Sequence, residues 1–477
     1  MTQPTLGADH APPPTTGTTA DRRRWTALAL ICLAQFMLVL DVTVVNVALP
    51  DIAADLHLHR TALTWVVTAY TLCFAGLMLL GGRLADALGA RRTFTAGLVL
   101  FTAASLAAGT AGSATALLAA RAAQGTGAAL LSPAALSLVT TTFHGPERTR
   151  ALGVWAGIGG AGSAAGVLVG GALTSGPGWS WIFYVNVPVG VLVLAVLPAV
   201  VPARPSRPAR LDVPGALLAT AGTGALVYGL VGAGDAGWGA ARTLLPLAAA
   251  AVLYAAFAAV ERRSSAPLMD VGMLARRPVL AGAFLMLVAT ALLVSAFFLG
   301  SVYLQHVRGY GPLGTGLAFL PVAVTTAAGA HLASRLLGTL GARPVAAGGM
   351  ALAALGLAPL AGLGGGTPVW PLVVPALAVA GLGVGAVFVT AVSTALALTR
   401  QEEAGLASGV VNTFHEVGGS IGVAVLSTVA ASGIEHGTPG GFATAFTVAA
   451  CAAGAAAAVS LALVPRVRPQ PTGPHAH

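Results

Sequence analysis

The chain has 477 residues, of which 56% are apolar and only 8% charged, with a mean hydropathy of +0.85. That balance excludes a water-soluble domain and points to a polytopic membrane protein. The formal charge of +9 does not mark a nucleic-acid binder, because the arginines are scattered through short loops and are not gathered on one soluble face.

In chain order, residues 1–20 are rich in Pro, Thr and Gly and too polar to pack, and read as a disordered tail. Apolar runs of about 18 residues or more then predict spans at 25–49, 61–82, 93–112, 115–140, 151–172, 183–202, 212–233, 243–260, 278–304, 314–337, 344–364, 371–396, 404–429 and 441–463. That makes fourteen, with a second polar tail over 465–477. The first run lacks a small-residue cleavage site and reads as a retained span. With the N-terminus inside, 20 of the 24 arginines fall in inside segments, and Arg60, Arg242 and Arg308 in outside loops. The positive-inside rule therefore places both termini in the cytosol.

The segment Arg335 to Arg343 repeats Arg83 to Arg91 at an offset of 252, identical at Arg, both Leu, Gly, Ala and Arg. A Gly-punctuated polar turn present once per half indicates a transporter built from two related bundles. The repeat pairs span 2 with span 10, so spans 7 and 8 form an insert. The plan is an all-α membrane protein arranged 6+2+6: an N-terminal bundle over 21–202, a linker and two-helix insert over 203–277, and a C-terminal bundle over 278–464. The longest loop, roughly 261–277, is too short for an ATP-binding unit, and no Gly-rich phosphate loop occurs. Uphill transport must draw on an ion gradient or a separate subunit.

Charge within a span costs roughly 2.5 to 3.5 kcal/mol, which makes each such residue a functional candidate. Asp41, Arg121 and Glu416 stand out. At a rise of about 1.5 Å per residue, Asp41 in span 1 and Arg121 in span 4 both lie roughly 9 to 12 Å below the outer boundary, and are placed to couple. Burial raises the pKa of a carboxyl and a nearby Arg lowers it, so movement of the Arg gates a proton; a static pair pinning two helices is the alternative. Gln124, three residues after Arg121, faces the same way and orients the guanidinium, a substrate, or a packing contact. Ser408, Asn412, Glu416 and Ser420 follow at four-residue intervals with His415 adjacent, a polar stripe that suits a cavity wall or a helix–helix seam. His415 reads first as a packing histidine. Tyr70 and Phe298, with Trp65, Trp155, Phe297, Phe388 and Phe414, are aromatic candidates for an apolar substrate cavity, although most membrane aromatics pack or anchor. Gly162, Gly166, Gly170 and Gly171 in span 5 allow backbone-to-backbone contact, expected with the equivalent helix of the other half. Asp51, Asp55, His57 and His59 lie in a short outside loop without metal-ligand spacing, and the three cysteines lie in apolar runs, so neither metal nor disulfide is expected.

Several segments together resemble a known family. Leu40 to Pro50 is similar to a first-span motif, Gly82 to Arg92 to a span 2–3 loop motif, Arg121 to Gly127 to a fourth-span motif, Trp181 to Gly190 to the entry to span 6, and Ala404 to Thr413 to the opening of span 13. They are the motifs of the major facilitator superfamily in its 14-span drug:proton antiporter branch, the EmrB/QacA type, and the resemblance covers residues 20–465. It departs at Val167, where the fifth-span motif carries proline after Gly166, at Ser180, and at Ala87 and Ala90, where relatives carry basic residues.

The resemblance implies proton exchange through Asp41 and Arg121 and export of small amphipathic organic compounds such as drugs or antibiotics. An endogenous metabolite is an alternative cargo, and a non-transporting sensor or enzyme on the same scaffold is disfavoured, since no nucleophile–base set is visible. The expected partners are the substrate, protons and the lipid bilayer of the plasma membrane, with no nucleic acid, no cofactor and a monomeric chain. In the loop motif, Gly82, Asp86, Gly89, Arg91 and Arg92 read as a conformational latch. Gly338 stands where the repeat would carry the acid, and the latch is expected to close on the start of span 13, with Glu402 and Glu403 facing Arg91 or Arg92.

Overall fold

A computed structural model describes residues 17–143, 145–201, 212–264, 271–397 and 404–466. The helices in chain order are α1 Gly17–Asp55, α2 Arg60–Leu88, α3 Ala90–Gly109, α4 Ala114–Thr142, α5 Gly145–Ser175, the short α6 Trp181–Tyr184, α7 Asn186–Val200, α8 Val213–Ala236 and α9 Ala241–Arg263. The short α10 Val271–Leu274 leads into α11 Arg277–Val302, which a π turn extends to Val307. Then follow α12 Pro312–Leu340, α13 Ala342–Leu357, α14 Val374–Leu396, α15 Ala404–Val429, the short α16 Ala431–His436 and α17 Pro439–Leu463.

Twelve helices among the described residues are long and apolar enough to cross a membrane, so the chain is a multi-pass membrane protein. The fourteen spans expected from the sequence are not reached in that count. The helices at the fifth and thirteenth positions, α5 and α15, stand outside it, although they run for 31 and 26 residues. In α5 the described apolar stretch, Ala165–Ser175, is too short to cross alone. The first span is longer than expected. Pro50 lies inside α1, which continues to Asp55, because a spanning helix tolerates proline where neighbours compensate for the lost hydrogen bond. Asp51 and Asp55 therefore belong to a helix end and not to a loop.

The repeat seen in sequence is also a repeat of packing. Gly89 and Gly341, 252 residues apart, have φ of 93° and 83°, a backbone region in which a Cβ is strained, and each reverses the chain between two helices with a single residue. At the same offset, Gly97 and Gly349 bring α3 onto α4 and α13 onto α14, while Gly166 and Gly418, and Gly170 and Gly422, bring α5 onto α1 and α15 onto α11. Small residues let these backbones approach closely where lipid supplies no hydrophobic drive for association. The contact pattern follows suit: α2 on α4 matches α12 on α14, and α3 on α7 matches α13 on α17.

Contact between the two groups runs along α5 with α12 and α15 with α2. This corrects the expectation for the Gly-rich fifth helix. Gly162, Gly166 and Gly170 press on Val39, Thr43 and Val44 of α1, and only Gly171 meets the other group, at Pro312 and Leu313 of α12. The partner across the seam is the second helix of the other group and not the fifth. Both seams use the same geometry in exchange, fifth helix against second.

The ends of the bundle differ. On the face bearing the Gly89 and Gly341 turns, arginines at first-helix starts cap sixth-helix ends: Arg23 donates to the Ala199 carbonyl at 2.5 Å and Arg277 to that of Leu463 at 3.1 Å, satisfying C-terminal carbonyls. The bonds between the groups given by the described residues lie toward the opposite face. There Gln305 donates to the Val47 carbonyl at 2.7 Å, Leu313 N–H to Ser175 Oγ at 3.1 Å, and Arg60 to Glu435 at 3.2 Å. Thr64 and Ser427 at 3.2 Å and Thr71 and Ser420 at 2.6 Å continue the α2–α15 seam inward. Beside this seam α8 packs on both α2 and α15, and α9 packs on α8 with only 17% of its apolar window buried.

Candidate functional site

Among the described residues few charged side chains are buried, and two of them, Asp41 and Arg121, meet. Asp41 on α1 and Arg121 on α4 are each 1% exposed, and Arg121 Nη1 donates to Asp41 Oδ2 at 2.5 Å. The second carboxylate oxygen accepts from Gln124 Nε2 at 3.1 Å and from Asn186 Nδ2 at 3.0 Å. Gln124 is fully used: its carbonyl accepts from Arg121 at 3.0 Å, and its amide also donates to Ser105 Oγ at 2.8 Å. Arg121 Nε donates to the Val66 carbonyl at 3.0 Å. The centre thus ties α1, α2, α3, α4 and the first residue of α7 together.

Aromatic rings complete it. The Tyr70 ring lies 4.5 Å from the Arg121 guanidinium carbon and Phe183 lies 5.9 Å away, distances at which a cation is attracted by the ring face. Tyr70 is wholly buried, its hydroxyl has no hydrogen-bond partner among the described residues, and it lies within electrostatic reach of both Asp41 and Glu416. Close approach of α2 to α4 makes this possible, since Gly125 sits directly on the Tyr70 carbonyl.

Desolvating a pair of charges costs several kcal/mol per ion, and breaking such a pair by removing one partner costs about 3–5 kcal/mol. Here the carboxylate has three donors, so its charge is stabilised while Arg121 stays close. Removing either charge would leave the other buried and uncompensated.

Glu416 lies on α15 with its side chain 13% exposed, 3.1 Å from His415 Nδ1; His415 is 40% exposed and stacks on Phe388 at 5.6 Å. Asn412 is half-buried on the same helix. One turn on from Glu416, Ser420 makes the bond to Thr71 that joins α15 to α2. The residues proposed to line a cavity divide accordingly. Asn412, His415 and Glu416 retain accessible surface, whereas Gln124, Tyr70 and Phe298 are fully buried, Phe298 within an apolar core that draws on both groups.

In the loop motif, a Cβ added at Gly82 would meet only Pro133, in ordinary van der Waals contact, Gly89 makes the turn, Asp86 and Arg92 are exposed and Arg91 is half-buried. Glu402 and Glu403, the expected partners of the latch, lie outside the described residues, as do the side chains of residues 404–408. Nearby, Gly409 touches Leu79 of α2. No group of three or more His, Cys, Asp or Glu side chains suited to a metal occurs among the described residues.

Comparison with known proteins agrees with this architecture. The family model described as Major Facilitator Superfamily matches residues 31–423 and 323–476. The chain belongs to the Major Facilitator Superfamily. It is 44% identical to the puromycin resistance protein pur8 of Streptomyces alboniger, over 88% of this chain and 85% of that one. Identity to the cephamycin export protein CmcT of Amycolatopsis lactamdurans is 41%, over 87% and 86%. Among solved structures, a peptide transporter POT in complex with sulfate superposes with a TM-score of 0.67 at 19% identity, covering 93% of this chain and 95% of that one. That likeness is one of fold.

Within this superfamily member, the residues missed by sequence reasoning are Ser105, Asn186 and the Val66 carbonyl. Asn186 sits in the motif that opens the sixth span, and its polar side chain in an apolar run was the available signal.

Proposed function

We propose that this protein is a proton-coupled antiporter that exports small amphipathic organic compounds of the antibiotic and drug class. The observation that carries the proposal is the Asp41–Arg121 pair, buried and closed off by Gln124 and Asn186. The names of relatives as resistance and export proteins support the choice of cargo. In the proposed cycle, protonation of Asp41 releases Arg121, the helices around it shift, and the proton leaves when the pair reforms. Glu416, beside the α2–α15 seam, attracts a cationic cargo or takes a second proton. Both termini lie in the cytosol and the chain sits in the plasma membrane, on the strength of the arginine distribution. With α5 and α15 crossing, the chain has fourteen spans arranged 6+2+6, and α8 and α9 are the insert. In this reading the bonds toward the opposite face close the outer side.

The test is a compound panel measured in a susceptible host with and without the gene, followed by uptake of each protected compound into everted vesicles. Export predicts uptake that collapses with the pH gradient. Uptake that persists after the gradient is removed would overturn proton coupling, and a panel with no protected compound would overturn the cargo class. A self-made compound enters the same panel as an alternative cargo.

A further inference from the structure

On the face bearing the Gly89 and Gly341 turns, the arginines of the two groups are balanced differently. In the first group Arg24 pairs with Glu147 at 3.3 Å, and Asp86 is exposed on the same face. At the offset of 252, Asp86 becomes Gly338 and Glu147 becomes Thr399, whereas Arg91 is kept as Arg343. After Asp270 the acids of the chain are Glu402, Glu403, Glu416 and Glu435. Glu416 lies within α15 and Glu435 on the opposite face, while Asp270, Glu402 and Glu403 lie outside the described residues.

Three arginines converge on the end of α17. Arg277, at the start of α11, donates to the carbonyls of Leu463, at 3.1 Å, and Ala462. Arg343, at the start of α13, donates through Nε to the Val464 carbonyl at 2.8 Å and lies within electrostatic reach of Arg277 and Arg466. All of these acceptors are neutral, and among the described residues no carboxylate pairs with any of the three arginines. A guanidinium carries five N–H donors, so the Nη groups of Arg343 remain for a further partner. Like charges this close repel, and an anion between them turns repulsion into attraction.

The surroundings select what carries the anion. Only 28% of the apolar window of α17 is buried, and Leu280, one turn on from Arg277, and Leu461 are 43% and 54% exposed. Apolar side chains open to lipid thus adjoin a cationic helix end, which suits the two parts of a phospholipid. We infer that the end of α17 is a binding site for an anionic phospholipid, its phosphate held by Arg277, Arg343 and Arg466 and its acyl chains against Leu280 and Leu461. The equivalent end in the first group carries its own carboxylates and is not such a site. The site is remote from Asp41 and requires neither a particular cargo nor proton coupling.

The test titrates purified full-length protein in neutral detergent with dioctanoyl phosphatidylglycerol and, separately, with zwitterionic dioctanoyl phosphatidylcholine, counting bound copies by native mass spectrometry. Phosphatidylglycerol is expected to bind about tenfold more tightly. Arg277→Gln and Arg343→Gln should each weaken it about fivefold and leave phosphatidylcholine unchanged. Arg343→Lys keeps the charge and should weaken it less, and Arg23→Gln, which removes the same charge from the first group, should not weaken it. The readout is a ratio of affinities for two lipids on one folded sample, which a loss of stability alone does not move. Equal affinity for both lipids, or equal weakening in Arg23→Gln and Arg343→Gln, would overturn the assignment. Displacement of phosphatidylglycerol by inorganic phosphate at equal concentration would give the arginines to a free anion and overturn the lipid.

Discussion

Gly166 and Gly170 in the first group of helices, and Gly418 and Gly422 in the second, stand 252 residues apart and press on the equivalent neighbour. At that same offset, however, Asp41, Tyr70 and Ser105 become Leu293, Val322 and Leu357. The helix equivalent to α4, which carries Arg121 and Gln124, is α14, and its residues Val374–Leu396 contain no ionisable side chain. The duplication kept the small residues that set helix contacts and the turns that reverse the chain, and it did not keep the charged centre. Scaffold and chemistry are therefore separable in this molecule.

The largest effect that tests this contrast is on stability. Arg121→Ala leaves Asp41 without its cationic partner and should destabilise the protein by about 3–5 kcal/mol, read by thermal unfolding in detergent. The double variant Asp41→Asn with Arg121→Gln removes both charges and keeps hydrogen-bonding groups, so it should recover most of that loss. A single variant as stable as wild type would mean that the pair does not organise the first group.

Next comes Asn186→Ala, which deprives the Asp41 carboxylate of one donor and should cost about 1–3 kcal/mol by the same measurement. Truncating Thr438, which stands 252 residues on, has no such acceptor to orphan and should cost less. A reversed order would contradict a one-sided centre.

Gly166→Ala and Gly418→Ala probe the scaffold instead. The first added methyl would meet Thr43 and the second the Leu287 carbonyl, and overpacking of this kind costs about 1–3 kcal/mol. Similar losses are expected at both positions. Gly89→Ala and Gly341→Ala place a Cβ at positive φ with extended ψ, a region kept essentially to glycine, and should each cost about 1–3 kcal/mol by the same measurement. A penalty confined to one member of either pair would break the equivalence of the two groups.

What could be read from residues alone follows the same division. Asp41 and Arg121 were visible because a charge inside an apolar run is costly and needs a partner, and depth along two helices sufficed to match them. Ser105 and Asn186 were not, since neutral polar side chains are common in spans and their convergence depends on helix rotation and crossing. The glycines of α5 announced a close contact but not its partner, because spacing encodes a face and not what that face meets. The first span was expected to end at residue 49, yet α1 continues through Pro50 to Asp55, which moves Asp51 and Asp55 from a loop onto a helix end.

The central claim is that the unduplicated centre couples protons to export. In everted vesicles, addition of a transported compound should dissipate an imposed pH gradient with wild-type protein. With Asp41→Asn it should leave the gradient intact, while the variant retains a folded, monodisperse state. Gradient dissipation by Asp41→Asn at the wild-type rate would contradict the account.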